Sequence, residues 1–143
     1  MGKNRPWYET DPNKVEEKRF SRVVGATFKC VFGKLPVQYG LDFSMYGNRE
    51  LVGFAEMKCR TNPVRAYPTY MVSTKKYDAA SKLHARFGVP CYLFVRWADR
   101  WGCTEIHTMR DGVEVGVGGR KDRDDPQDVE QVAYIPLSHF LFY

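Results

Sequence analysis

The sequence predicts an α/β fold: a central mixed sheet flanked by helices, with further strands at its C-terminal end. Three observations carry that expectation. Helical and strand periodicities follow one another in the order helix, strand, strand, strand, helix, strand. Val89–Trp97 is apolar almost throughout, as a central strand buried on both faces should be. Gly47-Asn48 separates two strand-like runs, which is a hairpin signal.

Taken in order, residues 1–12 are polar, contain Pro6, Trp7, Tyr8 and Pro12, and read as an arm leading into the fold. Asn13 fits a helix N-cap with Glu16 as its capping-box partner, opening a helix from about Lys14 to Ala26. Its apolar stripe is Phe20, Val23, Val24, Thr27 and Phe28, opposite Lys14, Lys18, Ser21 and Arg22. Thr27–Phe32 reads as a strand, broken by Gly33-Lys34-Leu35-Pro36. Tyr39–Tyr46 and Leu51–Cys59 are the hairpin strands, and Thr61–Pro68 is a loop. A second helix runs from Ser73 or Thr74 to Phe87, with Gly88 as its C′ residue. Cys103–Met109 and Val129–Pro136 are later strands, separated by Arg110–Asp128, which reads as a long mobile loop. The expectation is one domain over 1–143, with its core in 13–97 and additional strands in 98–143.

The 143 residues are 43% hydrophobic and 27% charged, the balance of a soluble globular chain rather than a disordered one. A net charge of +5 favours a polyanionic partner, nucleic acid before a membrane surface. No apolar run reaches the ~18 residues of a membrane span, and the N-terminus lacks the apolar segment of a signal peptide. Cys30, Cys59, Cys91 and Cys103 are widely spaced and three sit beside apolar strand residues, so they read as reduced thiols in a cytoplasm.

The chemistry concentrates at acid-x-lysine triplets, of which there are two. In Glu16-Glu17-Lys18, on a helix, residues two apart diverge by about 200°, so Glu16 and Lys18 cannot share a site. In Glu56-Met57-Lys58, on a strand, residues two apart share a face. That face is Val52, Phe54, Glu56 and Lys58, with Gly53, Ala55, Met57 and Cys59 on the other. Two charges among apolar neighbours cost several kcal/mol unless paired or metal-bound. A Glu–Lys ion pair emerging at a strand end is the plainer alternative. Asp42, near the start of the preceding strand, is the second acid. Hard carboxylate oxygens without thiolate or imidazole company suit magnesium or manganese. His84, His107 and His139 are scattered and read as ordinary packing or surface residues.

A helix glutamate, Leu41-Asp42-Phe43, Glu56-Met57-Lys58, and then a lysine-bearing helix feeding an apolar strand resemble the PD-(D/E)xK nuclease superfamily, which includes restriction endonucleases and Holliday-junction resolvases. The resemblance spans roughly 14–97, with Leu41 where the family name has proline, and a phage-type stand-alone nuclease is the nearest type. It implies a restriction-endonuclease-like αβββαβ core and a Mg2+ (or Mn2+) cofactor held by Asp42 and Glu56, with Met57 lending its backbone carbonyl. It implies that Lys58 orients or activates the attacking water. Glu16 or Glu17 completes the site: Phe20 and Val24 follow Glu17 with the family's apolar spacing, while Glu16 has its capping role. Lys75 or Lys76 matches a position that contacts the scissile phosphate or supports the site. Arg60, Arg65, Tyr67, Tyr70, Lys75 and Lys76, with Arg19 and Arg22 further out, are candidates for a nucleic-acid-binding rim. Trp97 and Trp101 could stack a base, or simply pack the core edge.

Register is the critical expectation. A two-residue Gly47-Asn48 turn would place Asp42 opposite Gly53, on the face away from Glu56. A three-residue loop Gly47–Arg49, or a bulge at Gly53, brings Asp42 to the face of Glu56. The functional expectation is a magnesium-dependent DNA endonuclease, DNA before RNA, without a membrane role and with homodimerisation open. The alternative is a catalytically silent nucleic-acid-binding or protein-interaction domain on the same fold.

Overall fold

The computed structural model describes residues 12–119 and 129–143. Helix α1 (Pro12–Phe28) begins on a proline, whose fixed φ and missing N–H suit the first helical position. Asn13 is therefore inside the helix and is not its cap, and the predicted arm, apart from Pro12, lies outside the described residues. The predicted strand at Thr27 starts late, because the helix continues through Phe28. Lys29 then takes a left-handed φ of 56°, and Cys30 N–H reaches back to Gly25 O at 3.0 Å, closing the helix as a Schellman turn. A Cβ at Gly25 would meet Cys30 O at 2.7 Å, so this close return needs glycine there. Phe20 and Val24 are buried, whereas Val23 and Thr27 face solvent; the helix rests on a narrower stripe than its apolar pattern suggests.

Six strands form the main sheet: β1 (Val31–Lys34), β2 (Phe43–Gly47), β3 (Glu50–Cys59), β5 (Cys91–Arg96), β6 (Trp101–Glu105) and β9 (Leu141–Phe142). Their spatial order is β1-β2-β3-β5-β6-β9. β3 and β5 are parallel and the other neighbours antiparallel, so the sheet is mixed, as expected. The parallel pair is joined through helix α2 (Thr74–Phe87), the usual crossover. Ser73 Oγ caps the helix by accepting from Lys75 N–H, and Gly88 closes the other end at φ 70°, the C′ role the sequence predicts.

Two strands are not anticipated from the sequence, one in an unassigned stretch and one in a predicted loop. Thr69–Ser73 is β4, and Glu114–Gly119 is β7, inside the segment expected to be a mobile loop. With β8 (Val129–Pro136) they build a second, antiparallel sheet in the order β4-β8-β7. Glycines in β7 masked its pattern, although Gly118 must be small there: a Cβ would lie 3.0 Å from Val132. Residues 120–128 of the predicted loop lie outside the described residues. The expected strand Tyr39–Tyr46 begins only at Phe43, since Pro36 initiates a 3-10 turn over Val37–Tyr39 that ends at Gly40.

The sheet separates two cores. Phe20, Val24, Met45, Ala55, Met57 and Phe94 pack under α1, while Phe54, Tyr70, Tyr77, Leu83, Leu93 and Trp97 pack beneath α2 and the second sheet. The predicted alternation along β3 is observed from Phe54 to Cys59, but not at Val52, where a bulge leaves Leu51 packed on the Phe54 side. Glu56 points toward α2.

The candidate active site

Asp42 reaches Glu56 because the hairpin is bulged. Its turn is two residues, Asn48-Arg49, both at positive φ (51° and 67°), the backbone of a type I′ turn. Gly47 pairs with Glu50 and Tyr46 with Leu51, but Met45 pairs with Gly53, leaving Val52 as the extra residue. Below the bulge Phe43 pairs with Ala55, so Asp42, one residue earlier, falls beside Glu56. The register thus takes the bulged route the sequence allowed, one residue from Gly53.

The Asp42 backbone is fixed on both sides, donating to Ala55 O at 3.1 Å and accepting from Leu35 N–H at 2.9 Å. Asp42 precedes the first residue of β2, and where the strand's own ladder stops its carboxylate takes over: Oδ2 accepts from Met57 N–H at 3.0 Å. Oδ1 lies 4.0 Å from Lys34 Nζ.

Glu56 is 1% exposed, one of the few buried polar residues. Its Oε2 is shared by two ammonium groups, Lys58 at 3.3 Å and Lys76 at 3.2 Å. Its Oε1 is buried without a hydrogen-bond partner among the described residues. Burial first, and the nearby Asp42 charge second, push the Glu56 carboxyl above its ordinary pKa against the pull of Lys58 and Lys76. Glu17 is also raised, by burial and then by Asp42, with Lys14, Lys58 and Lys34 opposing. Three carboxylates therefore share one electrostatic field, two of them held there at a cost.

Neighbouring residues in each predicted pair divide. Glu16 faces away from this field: its carboxylate bonds Arg19 at 3.2 Å and Arg96 at 3.0 Å, tying α1 to β5. It is not the capping-box partner that the sequence suggested. Lys76 enters the site from the first turn of α2 and also donates to Gly40 O at 2.9 Å. Gly40 permits this approach with φ 81° and with no Cβ to strike Ala79, which would lie 2.7 Å away. Lys75 points outward, 3.9 Å from Glu130.

Of the remaining rim candidates, Arg60 lies over the Tyr70 ring, 5.1 Å from its centroid. Tyr70 is buried rather than exposed, and its hydroxyl, lacking a hydrogen-bond partner among the described residues, is pushed up to about 12, chiefly by burial. Arg65 lines a separate shallow cleft with Arg100 and Leu137. Trp97 packs against Tyr70, Phe140 and Phe142, and Trp101 stacks on Tyr143, so packing accounts for both. The four cysteines are free thiols, as expected. His84 and His107 do come together, stacked 4.2 Å apart, with Cys91 N–H donating to His107 Nδ1.

The sequence reading missed Lys34 and the groove beside it. A cleft of about 710 Å³ beside Glu17 is lined by Lys14, Lys18, Arg19, Arg22, Lys34 and Phe43. Its signal was present: Lys14, Lys18 and Arg22 recur every four residues and form one ridge of α1.

No three His, Cys, Asp or Glu side chains among the described residues converge into a ready-made metal cage. The donor chemistry nevertheless fits a hard divalent cation. Asp42 and Glu56 supply carboxylate oxygen, and Glu56 Oε1 is buried with no hydrogen-bond partner among the described residues, a free hard donor of the kind such a cation takes. Among the described residues no helix is long and apolar enough to cross a membrane.

A family model described as "Phage putative PDDEXK endonuclease" matches residues 3–142 of this chain. No curated protein matches it significantly. Among solved structures the fold resembles Archaeoglobus fulgidus Hjc, a Holliday junction resolvase from an archaeal hyperthermophile. That likeness has a TM-score of 0.53 at 13% identity and covers 86% of this chain and 85% of that one.

Proposed function

The chain belongs to the family of phage PD-(D/E)xK endonucleases, and from that premise we propose that it hydrolyses phosphodiester bonds in DNA with a bound divalent cation, magnesium or manganese. The observation that carries this reading is Glu56: a fully buried carboxylate beside a second acid, with one oxygen unpartnered among the described residues and the other between two lysines. A buried acid serving stability alone would be better replaced by an apolar residue.

Asp42 and Glu56 would hold the cation. Met57 would add its carbonyl: the N–H and C=O of one strand residue face the same edge, and the Met57 N–H already faces Asp42. Glu17, rather than Glu16, would complete the set, since its charge is coupled to Asp42 and Lys58. When bound, the cation supplies Lewis acidity and charge neutralisation at the phosphate. Lys58, a third exposed, is placed to position the attacking water and to offset charge growing on the phosphate. Lys76, anchored on Gly40 O, holds the Glu56 carboxylate in place. The basic ridge of α1 with Lys34 tracks the sugar-phosphate backbone toward the site. DNA is favoured because the structural neighbour is named as a Holliday junction resolvase.

Supercoiled plasmid, single strands and a four-way junction, incubated with Mg2+, Mn2+ or EDTA, test the proposal. Cleavage by the wild-type chain that needs the metal and disappears in Asp42→Asn and Lys58→Met is the expected result. Cleavage retained in both variants would sink the site assignment. Tight, salt-sensitive binding without cleavage of any substrate would replace the enzyme by a binding module.

A further inference from the structure

We propose that the aromatic cleft at the C-terminal end of β3 binds one unpaired nucleobase of the substrate strand next to the scissile phosphate. The proposal deepens the nuclease reading and rests on it for the substrate class. The cleft lies between the end of β3, β4 and β8, and encloses about 420 Å³, inside the ~300–1,000 Å³ of small-ligand sites.

Position is the first support. Glu56 and Lys58 share one face of β3, and the backbone stays in register past its end, Arg60 N–H donating to Arg96 O at 2.7 Å. Arg60 thus continues the same row. Two strand residues advance about 7 Å, so the cleft opens one short step beyond the lysine assigned to the water and phosphate.

Its lining is the second. Tyr67 and the half-buried Tyr134 supply accessible ring surface, backed by the buried rings of Tyr70 and Trp97, with Arg60 and Asn62 as polar groups at the same cleft. Tyr67 leaves two thirds of its surface in water, so its ring is free to receive a stacked base. Flat rings bordered by a guanidinium accept the π-face of any base, whereas the bases of an intact duplex are stacked on one another and cannot enter. The groove along α1 has the opposite character, lysines and arginines in a row, which suits phosphates.

Tyr70 joins cleft and site. Its ring forms a wall of the cleft beneath Arg60, and the Glu56 charge acts on its hydroxyl. That hydroxyl is buried without a hydrogen-bond partner among the described residues.

Binding of a fluorescent oligonucleotide in EDTA, where the proposed hydrolysis cannot proceed, tests the cleft apart from catalysis. The comparison is a single strand against the duplex of the same sequence, for wild type, Tyr67→Ala, Tyr67→Phe and Tyr67→Ala/Tyr134→Ala. The alanine variants should bind the single strand about tenfold more weakly and the duplex with unchanged affinity, while Tyr67→Phe restores wild-type binding. Abasic substitution at one position should weaken the wild type alike and cost the double variant nothing further. Wild-type affinity for single strands in both alanine variants, or equal losses on single strand and duplex, overturns the proposal. Tyr67 is largely exposed, so Tyr67→Ala alone decides if the double variant does not fold. A chain that cleaves nothing yet shows the base-dependent loss keeps the cleft and loses the nuclease reading; normal cleavage with unaltered variants does the reverse.

Discussion

Lys76 Nζ sits 3.2 Å from the buried Glu56 Oε2 and is itself tethered to Gly40 O at 2.9 Å. The ammonium therefore braces the carboxylate against helix α2 and the turn before β2 at once. Lys76→Met removes both bonds and leaves Glu56 with Lys58 alone. Thermal unfolding of the variant should show a loss of about 1–2 kcal/mol, typical of hydrogen bonds to charged groups. Lys58→Met, which removes one partner without a second anchor, should cost less stability but more cleavage. Equal effects of the two on both readouts would refute this division of roles.

Glu56 itself should destabilise the chain near neutral pH. Its folded pKa is raised, mainly by burial, so over a window above the ordinary carboxylate range the folded chain binds more protons than the unfolded one. Stability from this group is fully present below the unfolded pKa and is lost as pH rises through the folded value. Glu56→Gln mimics the protonated form at every pH. Its Tm should exceed that of the wild type at pH 7–8 without metal, and the gap should close toward pH 4.5. Metal-dependent cleavage should fall by about 100-fold or more, since several kcal/mol of charge stabilisation go with the cation. A gap that widens on acidification would contradict the sign.

Much of this was legible in the sequence, and the parts that were not share a cause. Helix α2 was readable because Ser73, Gly88 and the spacing of Tyr77, Ala80 and Leu83 agree locally. Glu56 and Lys58 were readable because a strand period of two puts them together whatever the rest of the fold does. Choosing Lys76 over Lys75 required knowing where Gly40 lies, thirty-six residues away in sequence. Strand β7 hid because its glycines are selected by close approach to β8 rather than by strand propensity. Glu16 misled because a capping-box spacing also suits an i,i+3 pair with Arg19.

The hairpin offers a test of register. Val52 is the surplus residue of the bulge, while Leu51 already packs with the Phe54 side of the sheet. Deleting Val52 should join the two registers into a regular ladder, leave Phe43 opposite Ala55 and keep Asp42 beside Glu56. Cleavage should stay within about tenfold, one 1.4 kcal/mol step; a loss as deep as that of Asp42→Asn would show that the bulge does more than correct the count.

The same turn carries removable strain. Arg49 is held at φ 67°, where a side chain other than glycine costs about 1–2 kcal/mol. Arg49→Gly creates the Asn-Gly pair favoured in type I′ turns. Equilibrium unfolding should show a gain of about 0.5–1 kcal/mol after glycine's own unfolded-state entropy is subtracted. No change, or a loss, would mean that Arg49 makes contacts the turn geometry does not require.

Adjacent glutamates on α1 give the sharpest separation of structure from chemistry. Glu16 is bonded to two partly exposed arginines, so Glu16→Gln should lower stability by less than about 1 kcal/mol and leave cleavage near the wild-type rate. Glu17 has a raised pKa from burial and from Asp42, so Glu17→Gln relieves a repulsion. It should leave stability unchanged or higher at pH 7–8, weaken the dependence of Tm on added Mg2+, and reduce cleavage. The stability difference between Glu17→Gln and wild type should shrink as pH falls into the ordinary carboxylate range, for the same reason as at Glu56. Titrating Mg2+ against Tm and cleavage rate for both variants checks all of these together. If Glu16→Gln abolishes cleavage and Glu17→Gln does not, the acid that completes the site is the other one, and α1 must turn its Arg96-facing side to the substrate.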